Sequence, residues 1–235
     1  MNEDAMFRQR FTPFYSISIL FSLLLLAPWT YAEDQKHGFG IGLRAGPSLF
    51  TQDVSEDQLL EGNLGTIVSA NFLYNISEYF SLGAGIEWEH HWIDVLDITV
   101  IDADSFSFLA LFELHFLQRR TFSPYFVFGG GYTINSVSPT DEAKEASLAV
   151  YGANYDAELD NAWAIKAGIG TDIFVSSNLA VNAEFGWKYN KAEARELLDG
   201  AVITQGDIDG SAINVLIGFR YYFPIVQQTT TEEAS

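Results

Sequence analysis

The run Ser105–Leu117, SFSFLALFELHFL, alternates with period two, and what it alternates between restricts the folds open to the chain. Phe106, Phe108, Ala110, Phe112, Leu114 and Phe116 share one face of such a strand, while Ser105, Ser107, Leu109, Leu111, Glu113 and His115 share the other. A short polar connection then leads into a second run, PYFVFGGGYT, that behaves the same way. Two solvents satisfy this pattern. The Phe face is the core of a soluble sheet, or it meets lipid while Glu113 and His115 lie inside a closed barrel.

The rest of the chain repeats the pattern. Period two predicts eight strands: Gly38–Leu49, Gly65–Asn75, Phe80–Trp92, Ser105–Leu117, Pro124–Asn135, Ala162–Phe174, Leu179–Asn190 and Ala212–Phe223. One stretch, Lys191–Leu198, reads as a short helix inside a loop. The connections Asn75–Tyr79, Gln118–Ser123 and Val175–Asn178 are short, and the four between them are long. Strict alternation of short and long, with an even strand number, is the connectivity of an up-and-down transmembrane barrel. A sandwich with Greek-key crossings gives no such rhythm.

Charge decides between the two solvents. Each charge on these eight strands falls opposite the apolar face: Arg44, Glu87, Glu89, Glu113, Lys166, Asp172, Glu184, Lys188 and Arg220. A midplane Arg or Lys facing lipid costs about 2–4 kcal/mol, so lipid exposure enforces this segregation. The charged face is also rich in glycine and nearly balanced in sign, as a crowded, poorly solvated interior requires. Trp88, Trp92, Tyr132, Trp163, Trp187, Tyr189 and Tyr221 sit towards the ends of the apolar faces, where interfacial girdles form. The expected fold is therefore all-β, an eight-stranded antiparallel up-and-down transmembrane β-barrel.

The ends fit export. Arg8 and Arg10 precede an uncharged stretch with the core ILFSLLLLA, and Thr30-Tyr31-Ala32 offers a small-x-small cleavage site. Residues 1–32 read as a signal peptide, 33–223 as the barrel and 224–235 as a short polar tail; Met6 is an alternative start. The absence of cysteine excludes disulfides and thiolate zinc sites. A net charge of −19 argues against nucleic acid as a partner.

The segment Ser123–Ile134 (SPYFVFGGGYTI) resembles the PY…GGY segment of small eight-stranded outer-membrane proteins, the OmpW family above all. Related barrels of the OmpX and opacity-protein kind, and the general outer-membrane β-barrel domain, share it. The closing GFRYYF resembles the aromatic-ended last strand of such proteins, with Phe219, Tyr221 and Phe223 as the signal that the outer-membrane assembly machinery reads. The polar tail after Phe223 departs from barrels that stop at the terminal Phe. The resemblance implies residence in the cell outer membrane among phospholipid and lipopolysaccharide, both termini periplasmic, and a narrow channel for small molecules, hydrophobic ones included.

Candidate sites follow from parity. Arg44, Glu87, Glu89, Glu113, His115, Lys166, Asp172, Glu184, Lys188 and Arg220 would form an ionic network in the lumen. Leu109, Leu111, Val127 and Leu216 are inward and apolar, a possible path for a small hydrophobic solute. The alternative is a structural or adhesive barrel with a plugged ionic core. Its acidic loops, with Asp94, Asp97, Asp102 and Asp104, then Asp141, Glu142, Glu145, Asp156, Glu158 and Asp160, then Asp207 and Asp209, would bind a partner. None matches the spacing of a calcium loop, so neither metal nor cofactor is expected. His90 and His91 face opposite ways, and His90 has no outward serine beside it, so an enzyme is not expected.

Overall fold

A computed structural model describes residues 38–51, 60–62, 64–95, 98–117 and 121–224. The expected signal peptide and the tail beyond Pro224 lie outside these residues. In chain order the elements are β1 (Gly38–Phe50), β2 (Leu60–Gly62), β3 (Gly65–Asn75), β4 (Phe80–Val95), β5 (Ile98–His115), β6 (Phe122–Pro139), α1 (Asp141–Tyr151), β7 (Tyr155–Leu159), β8 (Ala162–Phe174), β9 (Leu179–Leu198), β10 (Ala201–Asp209) and β11 (Ala212–Pro224).

Eight of these strands close on themselves, all pairs antiparallel. β1 pairs β3, β3 pairs β4, and the ladder continues through β5, β6, β8, β9 and β11 back to β1, where Gly38 faces Pro224. Closure leaves no open edge in the wall, the condition for spanning a bilayer with strands. The parity is the expected one. In β1, Gly38, Gly40, Gly42 and Arg44 are buried while Phe39, Ile41, Leu43 and Ala45 are exposed. The same alternation exposes Phe72, Leu82, Ile86, Phe108, Phe128, Ile169, Phe185 and Phe219 on the outer face. Glycines in the wall are places of close approach. A Cβ at Gly218 would stand 1.9 Å from the Leu43 carbonyl oxygen.

The short connections are tied by their own side chains. Ser176 Oγ accepts from Leu179 N at 3.1 Å, and Asn178 Nδ2 donates to Tyr222 O at 2.9 Å. Ser77 Oγ accepts from Tyr79 N at 3.2 Å. Both barrel ends, Gly38 and Pro224, lie at this turn end.

The strands at the other end run further than period two predicts. β5 begins at Ile98 rather than Ser105, β6 reaches Pro139, and β9 reaches Leu198. The reading of Lys191–Leu198 as helix is corrected. The segment has strong helix formers, yet it pairs with β10 on one side and β7 on the other, and two ladders outweigh a few tenths of a kcal/mol of propensity per residue. The extensions also put a charge on the outward face. Asp104 lies opposite His90 there, held by Trp88 Nε1 at 3.1 Å and His90 Nδ1 at 3.0 Å in the tryptophan belt. α1 occupies a stretch that reads as loop in the sequence. Thr140 Oγ1 accepts from Ala143 N, Asp141 and Glu142 occupy the first turn, and Gly152 ends the helix at φ 68°.

Candidate functional site: the lumen and its outer pocket

Inward side chains fill the lumen in three tiers. Near the turn end, Arg220 grips Glu113 through both oxygens, at 2.8 and 3.0 Å, and Asp172 at 2.8 Å. Tyr222 Oη donates to Asp172 at 2.5 Å. His115 Nε2 lies 3.3 Å from Glu113, and its Nδ1 lies 3.0 Å from Ser123 Oγ. In the middle tier, Glu184 pairs with Arg44 and with Lys166 at 2.8 Å, while Lys166 also donates to Glu87 at 2.5 Å. Towards the loop end, Lys188 donates to Glu89 at 2.5 Å and to Ser107 at 3.2 Å, and Asn214 Nδ2 donates to the other Glu89 oxygen at 2.9 Å.

The tiers are linked. Asn182 Nδ2 donates to Asp172 at 2.7 Å and to Tyr125 Oη at 2.9 Å, and Tyr125 Oη donates to Glu184 at 3.2 Å. The Arg220 guanidinium carbon stands 5.2 Å from the centre of the Tyr125 ring, a cation–π contact. All ten residues named from parity as an ionic network are buried and meet here. Five carboxylates face four fixed cations, Arg220 being shared by Glu113 and Asp172, and His115 is a second neighbour of Glu113. Ion pairs this enclosed mark a lumen filled by its own side chains.

Leu109, Leu111 and Val127, expected along an apolar path, pack with Leu73, Tyr125 and Ala164 in one buried cluster. Leu216 is buried as well. A pocket lies elsewhere. At the loop end, above Glu89, a cavity of about 90 Å³ is walled by Phe50, Ile93, Ile101, Ala103, Val137, Leu159, Ala192 and Ile208. Its polar floor includes Glu89, His91, Ser105, Asn135 and Asn190. Most of the walls come from strand extensions and from β7 and β10, so period two in the membrane zone gave no signal for them. Inward parity continued past Trp92 and Asn190 would have found Ile93 and Ala192.

One side of the pocket lacks a ladder. β6 pairs β8 only as far as Thr133 with Ala162; above that, β7 lies beside β6 but pairs with β9. Among the described residues, side-chain bonds bridge this seam: Asn161 Oδ1 accepts from Asn135 N at 3.0 Å, and Asn135 Nδ2 donates to Asp160 O at 2.9 Å. Val137 and Leu159 line the pocket from either side of it.

The acidic loop residues are in part engaged locally. Arg195 contacts Glu193 and Asp160, each at 2.9 Å, and Glu158 at 3.5 Å; its hydrogen bond with Glu193 raises its pKa. Lys191 meets Asp207 at 2.8 Å, which raises the lysine pKa. Burial pushes the Tyr155 hydroxyl up to about 12, with Glu196 beside it adding to the shift. Asp97 lies outside the described residues. Among the described residues, no group of three or more His, Asp or Glu is placed to hold a metal ion. Ser105 and Ser107 point inward and bond Asn135 and Thr133, away from His90. Phe219, Tyr221 and Phe223 are exposed on the outward face of β11.

Comparison with known proteins places this geometry. Residues 17–223 match the outer membrane protein beta-barrel domain family. No curated protein sequence matches the chain. Among solved structures, the outer membrane protein OprG from Pseudomonas aeruginosa superposes with a TM-score of 0.66 at 15% identity, over 83% of this chain and 100% of that one. AlkL, solved by solid-state NMR in DMPC lipid bilayers, gives 0.54 at 12% identity, over 85% and 96%. A major outer membrane protein from Thermus thermophilus gives 0.51 at 12%, over 80% and 100%. At these identities the likeness is one of fold: the closed eight-stranded barrel of small outer-membrane proteins.

Proposed function

The chain belongs to the outer membrane protein beta-barrel domain family, and on that footing we propose that it is a narrow passage for small apolar molecules across the cell outer membrane. The observation that carries this reading is the apolar pocket at the loop end, standing directly over the ionic tiers. A molecule entering from outside finds apolar walls, then a floor of paired charges that an uncharged solute has no means of displacing. The seam between β6 and β7 offers the exit. No backbone ladder holds it among the described residues, and it runs from the pocket to the barrel's outer surface just above the tryptophan belt. The ionic tiers then close the straight way through and turn cargo sideways.

In this reading both barrel ends face the periplasm, the tryptophan belt sits among lipopolysaccharide, and Phe219, Tyr221 and Phe223 present the last strand to the assembly machinery. The likeness to the OmpW family carries the same expectation of small hydrophobic cargo. An adhesive role for the acidic loops draws less support, since Asp160, Glu158 and Asp207 are held by Arg195 and Lys191.

The test is uptake of naphthalene by cells with an intact lipopolysaccharide leaflet. Expression of the wild-type barrel raises the rate several-fold. Ala103→Trp, which fills the pocket from its wall, returns the rate to background while the barrel stays folded and heat-modifiable on a gel. Undiminished uptake through a folded Ala103→Trp barrel rules the reading out.

A further inference from the structure

The inward charges of the three tiers are matched. Arg44 and Lys166 hold Glu184 and Glu87, Lys188 holds Glu89, and Arg220 holds Glu113 and Asp172. Above Lys188, β9 carries the same inward parity through Asn190, Ala192 and Ala194 to Glu196, and all four line the outer pocket. Glu196 breaks the rule of the tiers. It lies between Ala157 of β7 and Thr204 of β10 in register, neither of them charged, and it forms no ion pair among the described residues. The Tyr155 hydroxyl beside it occupies one acceptor position and leaves the charge uncountered. Arg195 and Glu158 also border the pocket, but they face each other on the opposite parity, and the guanidinium is held by Glu193 and Asp160, each at 2.9 Å. Unlike the sealed tier residues, Glu196 is half-buried, so a molecule in the pocket can reach it.

We infer that the pocket selects small apolar molecules that carry one ammonium group, with Glu196 as the counter-ion and the apolar walls taking the rest of the molecule. The inference rests on the passage reading and names its cargo. A half-buried carboxylate beside apolar walls attracts a cation more strongly than one in bulk water, because the local dielectric is lower. The surroundings act in the same direction. The loop stretches 51–64, 93–104, 136–161 and 191–211 carry Lys144, Lys191 and Arg195 as their only fixed cations against many more acids, a field that concentrates cations at the mouth. A neutral alcohol of the same shape gains a hydrogen bond from Glu196 without the charge, and a carboxylate meets like charge.

Three probes of matched shape test this: 1-naphthylmethylamine, 1-naphthylmethanol and 1-naphthoate. Each is titrated at neutral pH and low salt against the refolded barrel in zwitterionic lipid nanodiscs. The readout is the NMR shift of the backbone resonances of Ala157, Ala194 and Ile208, with empty discs correcting for partition into lipid. One charge-assisted hydrogen bond at a half-buried site predicts amine binding about tenfold tighter than the alcohol, with naphthoate the weakest and with added salt narrowing the gap. Glu196→Gln keeps the shape, removes the charge and levels the amine with the alcohol. Glu193→Gln removes the same charge from the outward parity of the same strand and leaves the preference in place.

Equal binding of amine and alcohol to the wild type overturns the inference and leaves the passage standing. An amine preference that survives Glu196→Gln, or that Glu193→Gln abolishes equally, overturns the assignment to Glu196. Probes that shift no pocket resonance overturn both readings. If Glu196→Gln does not fold, Ala157→Lys, which sets an internal cation opposite Glu196, takes its place and should abolish the preference likewise.

Discussion

Breaking the middle tier at Lys166 tests whether the lumen is dry. Lys166 joins two carboxylates, Glu87 at 2.5 Å and Glu184 at 2.8 Å. In Lys166→Met, Glu184 keeps Arg44 and Tyr125, but Glu87 loses its hydrogen-bond donor, and its second oxygen has none to begin with. An uncompensated buried carboxylate costs about 3–5 kcal/mol. Glu87→Leu is milder, about 1–3 kcal/mol, because Lys166 keeps Glu184. The double variant replaces the pair with apolar volume and should fall within about 1 kcal/mol of the wild type, since such replacements are often neutral. The coupling between the two sites is then at least about 3 kcal/mol. Urea unfolding of the barrel refolded in lipid vesicles, followed by tryptophan fluorescence and by gel shift, measures all four corners of the cycle. A Lys166→Met loss below about 1 kcal/mol, with single losses that add, would mean that water reaches Glu87 and that the tiers do not seal the lumen.

Gly170 makes room for the ring that links two tiers: a Cβ there would lie 2.4 Å from Tyr125 Cζ. Gly170→Ala should displace the Tyr125 hydroxyl from Glu184 and Asn182 and cost about 1–3 kcal/mol, read as a lower urea midpoint. In the loop sheet, the native Tyr155 hydroxyl titrates near 12 rather than 10. Between those values the folded form holds the proton more tightly than the unfolded one, so the stabilisation present below pH 10 is lost as pH rises through 12. Amide exchange in β7 and β10 should therefore quicken over that window, and Tyr155→Phe should abolish this component; an unchanged profile counts against the burial.

The membrane zone was legible because lipid imposes a strict rule. A misplaced charge there is expensive, so Phe on one parity and Glu113, Lys166 or Arg220 on the other could be read residue by residue. Above the tryptophan belt the rule lapses. Water can satisfy either face, and Asp104 sits outward at little cost beside Trp88 and His90. Hence β10 has no clear alternation, β7 alternates over only five residues (YDAEL), Lys191–Leu198 looks helical in sequence, and the pocket's trace there is the inward parity of Ile93 and Ala192. α1 did carry a signal, with Thr140 before Asp141 and Glu142 and with Gly152 after Tyr151, but it is a capping signal that period two does not detect. Parity also named the ionic residues without their pairing. Glu184 reaches Arg44 from 140 positions away in sequence, and only closure of the barrel brings them together.

The central claim is that the lumen is shut to ions by paired charges while the outer pocket serves apolar cargo. Ion conductance of the refolded barrel in a planar bilayer tests it most directly. The predicted result is a silent membrane, with or without naphthalene, from protein shown to be folded by heat-modifiability. Steady, discrete conductance steps from that same folded protein would contradict it, because a continuous water path cannot pass tiers in which Arg220, Lys166 and Lys188 are all engaged and buried.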